Sequence, residues 1–196
     1  MLAGSIGGRV SLNRSEQLVT VQDYLEGEKD SPIRHEYVDG YVYAMAGASD
    51  RHNRIALNIA SRLNDRLIEG PCEVFMSDMK LRVSPNVYYY PDVVVCCDSP
   101  PLEAYFRAQP VLIIEVTSPT TLRIDHHEKL VAYQHVPVVL ELVVISQDQV
   151  RIEVHRRVRD EWRQEILCQA TDLLVLDYVG LSIKLAEVYR NVKFPD

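Results

Sequence analysis

Helical and extended patterns of apolar positions alternate along the chain. The clearest helical pattern repeats a large apolar side chain at every fourth position, namely Ile55, Ile59, Leu63 and Leu67. This spacing puts the four side chains on one face of a helix. Ser49 or Asp50 is the predicted N-cap, and Gly70-Pro71 closes the segment because proline cannot continue a helix.

Three further segments predict shorter helices. Thr20 is the expected N-cap of the first helix, and Gly27 is its expected end. Asp125, with Glu128 three positions later, predicts the start of the second helix, which stops before Pro137. A short terminal helix is predicted to carry the apolar residues Leu181, Leu185, Val188 and Tyr189.

Extended segments separate these helices. Asp39-Gly40, between two aromatic and β-branched runs, predicts a tight hairpin turn that needs positive φ angles. Near-continuous apolar runs at 88–97 and 111–117 predict central strands that are covered on both faces. The other predicted strands cover residues 72–76, 80–83, 140–145, 150–158 and 162–168. Helices interspersed among buried strands are typical of a layered α/β domain.

Composition fits a folded protein with one main domain. The chain has 196 residues, of which 47% are hydrophobic and 25% are charged, the usual balance of a globular protein. Residues 1–16 are glycine-rich and aperiodic, so we predict a flexible segment there and a single domain over 17–196. No stretch approaches the roughly 20 apolar residues that span a bilayer. The N-terminus also lacks a secretory pattern, so we expect a cytoplasmic protein without membrane association.

The charge balance excludes only some kinds of binding partner. The 21 basic and 28 acidic residues give a net charge of −7, which argues against a broadly basic nucleic-acid surface. Arginine makes up 16 of the 21 basic residues and suits local phosphate contacts.

The cysteines lack metal-binding spacing, and we expect structural thiols rather than metal ligands or a disulfide. They are Cys72, Cys96, Cys97 and Cys168.

Two carboxylates stand at the margins of predicted buried strands. Asp92 follows Pro91 and opens the apolar run 93–97, while Glu115 follows the run 111–114. An ionised carboxylate in such a place is costly unless it is paired, hydrogen-bonded or bound to a metal. In neighbouring strands the two would form an oxygen-lined pocket for a hard cation such as Mg²⁺, which can promote phosphodiester hydrolysis. The alternatives are turn chemistry for Asp92 and a solvent-facing strand end for Glu115.

Two further candidate residues lie before and after this pair in the sequence. Glu36 lies upstream, just before the Asp39-Gly40 turn, and Lys129 lies downstream on the helix that begins at Asp125. Together these segments resemble the Uma-type restriction endonuclease family, which belongs to the PD-(D/E)XK nuclease superfamily. The segments that carry the resemblance are His35–Met45, the helix with His52 in its first turn, Tyr90–Val95, Leu112–Thr121, Asp125–Tyr133 and Val136-Pro137.

The resemblance implies a restriction endonuclease-like fold, a three-layer α/β/α core with a mixed central sheet. It also implies an endonuclease that hydrolyses DNA phosphodiester bonds with Mg²⁺, for which Mn²⁺ is the expected substitute. Asp92 and Glu115 match the metal-binding acids, and the main-chain carbonyl of Val116 would be a further ligand. Glu36 matches the acid on an earlier element that completes the site.

The lysine departs from the superfamily pattern. The superfamily's lysine would fall two positions after Glu115, where this chain has Thr117. Lys129 matches a lysine that the Uma-type pattern places on the following helix, and its long side chain can return an ammonium group to the same pocket. The predicted catalytic residues are therefore Glu36, Asp92, Glu115 and Lys129.

Arginines supply candidate DNA contacts. They are Arg51, Arg54 and Arg62 on the polar face of the long helix, and Arg156 and Arg157 near a hairpin tip. The alternatives are a salt-bridged helix face and an ordinary exposed hairpin. His52 is either a contact for substrate phosphate or an exposed or capping histidine.

Two other interpretations stay open. A nuclease-like module that binds nucleic acid or protein without catalysis would fit the absence of lysine at Thr117 and the acidic total, whereas three retained acids favour an enzyme. Alternatively, the acids form a structural network with Lys129. An enzyme that cuts both DNA strands would be expected to pair as a homodimer.

Overall fold

A six-stranded mixed sheet runs through the middle of the protein in the computed structural model, which describes residues 18–98, 105–118 and 125–194. The predicted flexible segment 1–16 lies outside these residues. In chain order the elements are α1 (Val21–Lys29), β1 (His35–Val38), β2 (Tyr41–Ala44), α2 (Asp50–Leu67), β3 (Glu73–Met76), β4 (Lys80–Ser84), β5 (Val87–Tyr89), β6 (Val93–Cys96), β7 (Phe106–Arg107), β8 (Pro110–Thr117), α3 (Asp125–Gln134), β9 (Glu141–Ser146), β10 (Ile152–Val158), β11 (Glu161–Leu167), β12 (Leu173–Leu176), β13 (Leu181–Lys184) and α4 (Leu185–Val188).

Strand pairing gives two main sheets and a small hairpin. The six-stranded sheet has the order β11-β10-β9-β8-β6-β3, in which β8 and β9 are parallel and the other neighbours are antiparallel. The five-stranded sheet has the order β2-β1-β5-β4-β7, and β12 pairs with β13. Together with the flanking helices, these sheets confirm the predicted mixed α/β architecture.

Each face of the six-stranded sheet packs against a different layer. Ile59 and Leu63 of α2 lie in one apolar cluster with Val93 and Leu112, and the β12–β13 hairpin and α4 contribute to the same cluster. Tyr133 of α3 lies in a second cluster on the opposite face, which also includes residues of β4 and β5. Because side chains alternate along a strand, β6 and β8 contribute apolar residues to both clusters.

The two N-terminal helix predictions are confirmed at their starts. Thr20 caps α1 and accepts a hydrogen bond from the Asp23 N–H at 3.1 Å, and Ser49 caps α2. The predicted end of α1 at Gly27 is wrong, because the helix continues to Lys29. Glu28 in its last turn is buried among hydrogen-bond partners, and this tertiary contact extends the helix past the glycine.

The chain passes from the five-stranded sheet to the six-stranded sheet between β5 and β6. The predicted continuous strand at 88–97 is wrong, because β5 and β6 belong to different sheets. Pro91 lies in the break, and it cannot donate a hydrogen bond to a sheet ladder. The break puts Asp92 directly before β6, at the margin of the six-stranded sheet. The predicted hairpin at Asp39-Gly40 is confirmed, with φ angles of 47° and 92°.

The predicted terminal helix is confirmed only in part, at Leu185 and Val188 of α4. Leu181 and Ile183 lie in β13, and only the four residues of α4 are helical. Buried residues alternate with exposed ones along β13, which is the period of a strand rather than of a helix. None of the helices in the described part of the chain combines the length and apolar character that a bilayer span requires.

The cysteine prediction is wrong for one pair. Cys72 and Cys97 form a disulfide at the end of the β3–β6 pairing, next to the register pair Glu73 and Cys96. Antiparallel pairing of β3 with β6 brings them together across 25 positions, a contact that sequence spacing does not reveal. Cys96 is a buried free thiol, as predicted, and Cys168 is exposed.

Candidate functional site

Asp92 is held at both carboxylate oxygens. Its Oδ1 lies 2.7 Å from Nε2 of His52 in the first turn of α2, and its Oδ2 accepts a hydrogen bond of 2.7 Å from the Val116 N–H. Asp92 is 9% exposed, so these two contacts replace most of its solvation. The turn chemistry considered for Asp92 therefore does not describe its role: the carboxylate joins α2 to β8.

His52 takes neither of the two roles considered from the sequence alone, a contact for substrate phosphate or an exposed or capping histidine. Its backbone N–H donates to the Ser49 hydroxyl, so Ser49 and not His52 is the cap of α2, and the His52 ring contacts Asp92. The available signal was its place in the first turn of a helix that precedes the Pro91-Asp92 segment. Only the packing of α2 against the sheet reveals which carboxylate the ring meets.

Glu115 lies on β8 and faces α3. Its Oε1 accepts a hydrogen bond of 2.7 Å from the Tyr133 hydroxyl. The pKa of Glu115 is raised to about 8, and burial is the largest cause. The charges of Asp92 and Glu36 also raise it, whereas Lys129 and the Tyr133 hydrogen bond lower it. These electrostatic effects put Glu36, Asp92 and Lys129 near Glu115, and the space among these four residues is called the pocket below.

Lys129 and Glu36 form an ion pair in this pocket. The Lys129 Nζ lies 2.6 Å from Oε1 of Glu36, and both side chains are largely buried. Lys129 also lies over the Tyr89 ring, 5.4 Å from its centroid. Lys129 and Tyr133 are four positions apart on α3, so one helix face supplies both the ammonium group and the hydroxyl. The structure therefore brings Lys129 to the acids from the helix that follows β8.

The donor set fits a hard divalent cation held by two carboxylates. Among the residues that the structure describes, no group of three or more His, Cys, Asp or Glu side chains has metal-binding geometry. Mg²⁺ commonly binds through one or two carboxylates and keeps several water ligands, which Asp92 and Glu115 can satisfy. A cation between them would offset the repulsion that contributes to the raised pKa of Glu115. The Val116 carbonyl stays a predicted ligand.

The helix arginines predicted as nucleic-acid contacts each face an acid. The nitrogen–oxygen distances are 2.8 Å for Arg51–Asp148, 3.9 Å for Arg54–Asp50 and 3.4 Å for Arg62–Glu187. Partly exposed ion pairs of this kind contribute little to stability, so phosphate groups can compete for such arginines. Their contact with nucleic acid stays a prediction.

The hairpin arginines are engaged within the protein. Arg156 contacts Glu141 at 3.2 Å and Glu165 at 2.6 Å. The guanidinium of Arg157 donates to the backbone carbonyls of Gln134, Val136 and Val139 and lies over the Trp162 ring. Carbonyls at a helix C-terminus need such donors, and Arg157 supplies one to the end of α3. We therefore leave Arg156 and Arg157 out of the proposed substrate surface.

Residues 21–186 match a family described as "Uma2: Putative restriction endonuclease". The chain belongs to this family. Two Uma2-like relatives come from Synechocystis sp. (strain ATCC 27184 / PCC 6803 / Kazusa), and both are named as uncharacterized proteins. The first, slr1290, is 33% identical over 175 residues and covers 88% of this chain and 92% of its own length. The second, sll1609, is 30% identical over 151 residues, with coverage of 74% and 85%.

A solved structure shares the fold of this Uma2 protein. It is the crystal structure of "a putative nuclease belonging to DUF820" from Anabaena variabilis ATCC 29413, with a TM-score of 0.74. The two chains are 15% identical, and the similarity covers 87% of this chain and 97% of the other. The predicted restriction endonuclease-like fold is thereby confirmed, and the family description supports a nuclease function.

Proposed function

We propose that this protein is a metal-dependent endonuclease that hydrolyses DNA phosphodiester bonds at the Asp92–Glu115 pocket. The observation that carries the proposal is the meeting of two strand-margin carboxylates with the Lys129–Glu36 pair. A nuclease needs a cation site next to a group that stabilises negative charge on phosphate, and this pocket combines both. Membership in a family described as restriction endonucleases supports the same reaction class.

Asp92 and Glu115 would hold Mg²⁺, or Mn²⁺ as a substitute, with the Val116 carbonyl as a further ligand. When bound, the cation polarises a phosphoryl oxygen and lowers the pKa of a coordinated water. His52 and the Val116 N–H orient Asp92, and the Tyr133 hydroxyl orients Glu115. These neighbours keep the two carboxyl groups in place when no cation is bound.

Lys129 would act on the substrate phosphate. Its ammonium group is held 2.6 Å from Glu36 and can stabilise the negative charge that develops when water attacks phosphorus. Glu36 serves by keeping this group in the pocket through their ion pair. In this proposal the lysine reaches the site from α3 instead of from position 117, where Thr117 is buried.

A calorimetric Mn²⁺ titration tests the proposal first. We expect saturable binding by the wild type and its loss in Asp92→Ala and in Glu115→Ala, because each variant removes one of two charged ligands. Glu128→Ala is the matched control, since this exposed acid adjoins Lys129 without facing the pocket. Mn²⁺-dependent nicking of a supercoiled plasmid is the second measurement. Absence of Mn²⁺ binding, both alone and with duplex DNA, would contradict the proposal.

A non-catalytic nucleic-acid-binding module is the second candidate. Thr117 at the usual lysine position favours it, because an inactive relative of a nuclease would have no need for a lysine there. This candidate predicts DNA binding in EDTA and no cleavage with Mn²⁺. The homodimer is predicted only for the enzyme, because two protomers would cut the two DNA strands. Sedimentation of the protein with duplex DNA measures the number of protomers in the complex.

A further inference from the structure

Glu28 in the last turn of α1 joins two chain segments that lead into the pocket. Its Oε1 accepts hydrogen bonds of 2.9 Å from the His35 N–H and 2.9 Å from the Tyr90 hydroxyl. Its Oε2 lies 3.1 Å from Nδ1 of His35. His35 directly precedes Glu36, and Tyr90 stands two positions before Asp92. The Glu28 carboxylate, which is outside the pocket, therefore contacts the segments that lead into two proposed site residues.

The burial of this carboxylate makes its contacts specific. Glu28 is 3% exposed and Tyr90 is 2% exposed, so neither polar group can exchange its partner for water. Leaving such a group unpaired is costly, which favours one arrangement of α1, β1 and the Tyr90 segment. Lys80, also buried, lies 5.6 Å from the centroid of the Tyr90 ring and adds a cation on the same side.

A second link connects the same segments inside the pocket. The Tyr90 N–H donates to Oε1 of Glu36 at 3.4 Å, and this oxygen also receives Lys129. Tyr90 thus binds Glu28 through its hydroxyl and Glu36 through its backbone. A displacement of Tyr90 would move the partner of Glu36 and the start of β6 together.

We propose that Glu28 is a positioning residue that sets the distance between Glu36 and Asp92 by tying β1 to Tyr90. This inference rests on the proposed function, because the positioned residues are those of the proposed metal and phosphate site. Residues that hold metal ligands in place commonly influence the affinity for the metal, because they orient the ligating groups. If Glu28 had only a structural role, its replacement would lower the thermal stability and leave the Mn²⁺ affinity unchanged.

Calorimetric Mn²⁺ affinity and metal-free thermal stability, measured on the same variants, separate these roles. Tyr90→Phe keeps the ring and removes only the hydroxyl that reaches Glu28. We expect it to weaken Mn²⁺ binding by roughly tenfold, which is the lower end of the loss in metal affinity when a residue that orients a ligand is replaced. Glu28→Ala should do the same where it folds. Glu28→Gln should restore near wild-type affinity, because its amide oxygen can accept both hydrogen bonds made by Oε1.

Tyr37→Phe is the matched control. Tyr37 follows Glu36 on β1, is 3% exposed and donates its hydroxyl to the Val19 carbonyl instead of to Glu28. We expect this variant to lose stability and to keep Mn²⁺ affinity. Equal losses of affinity in Tyr37→Phe and Tyr90→Phe would overturn the positioning role, and so would wild-type affinity in a folded Tyr90→Phe.

The outcome for the proposed function is read separately. Wild-type binding that disappears in Asp92→Ala supports the metal site whatever Tyr90→Phe does. Absence of wild-type binding overturns the metal site and, with it, the positioning role of Glu28. The two failures therefore give different patterns across the same set of proteins.

Discussion

The Nε2 atom of His52 lies 2.7 Å from Oδ1 of Asp92, although the two residues are 40 positions apart. This contact connects the first turn of α2 to the margin of the six-stranded sheet. On the other oxygen, the Val116 N–H binds Asp92 from β8. Asp92 is thus oriented by one group from α2 and one from β8 before any cation or substrate arrives.

Replacing His52 should disturb the pocket through Asp92. We expect His52→Ala to weaken Mn²⁺ binding by roughly tenfold, because Asp92 loses the partner of one oxygen. His52→Gln, which can still donate a hydrogen bond, should lie between this variant and the wild type. Calorimetric titration measures the affinities, and the exposed His127→Ala is the control. Unchanged affinity in a folded His52→Ala would refute the orienting role.

Replacing Lys129 should separate chemistry from metal binding. We expect Lys129→Gln to reduce Mn²⁺-dependent plasmid nicking by about 100-fold or more, because the charge that stabilises the reacting phosphate is lost. Its Mn²⁺ affinity should stay closer to that of the wild type, since Asp92 and Glu115 remain. Full activity in Lys129→Ala, alongside an inactive Asp92→Ala, would refute the role of this lysine.

The raised pKa of Glu115 predicts a pH dependence of stability. The ordinary pKa is 4.5 and the folded pKa is about 8, so the folded state binds more protons between these values. The free energy of unfolding should therefore fall as pH rises from about 5 to 8. Urea unfolding of the metal-free protein at several pH values measures this slope. Glu115→Gln, which does not titrate, should flatten it; identical slopes in the two proteins would contradict the prediction.

The Cys72–Cys97 disulfide should stabilise the protein without serving the pocket. It links positions 25 apart, and loss of such a bond costs about 3 kcal/mol of unfolding free energy. We expect Cys72→Ser to show this loss in urea unfolding under oxidising conditions and to match the wild type in reductant. Cys168→Ser removes an exposed free thiol and serves as the control. Equal stability of Cys72→Ser and the wild type without reductant would count against the link.

Several local features of the fold were predictable because each depends on residues a few positions apart. The apolar repeat from Ile55 to Leu67 indicates α2, since a helix brings every fourth side chain to the same face. Asp39-Gly40 indicates its hairpin because the turn needs positive φ at both residues. Motif order, read as a family resemblance, also singled out Asp92, Glu115 and Lys129.

Other features depended on which strands and helices become neighbours. Local patterns read 88–97 as one strand, but competition between two sheets divides it at Pro91. They read Leu181 as helical, although its burial follows the period of a strand. A run of apolar residues specifies that a segment is buried without specifying its partner, so periodicity alone could not settle these cases.

The sequence by itself determined the local helix and turn signals, the order of the candidate acids and lysine, and the resemblance that connects them. Only the tertiary structure decided that His52 meets Asp92, that Glu28 reaches Tyr90, and that Cys72 pairs with Cys97. The physical reason is that these contacts join residues far apart in the chain. Their geometry follows from strand order and from packing of helices on the sheet, which no local spacing encodes.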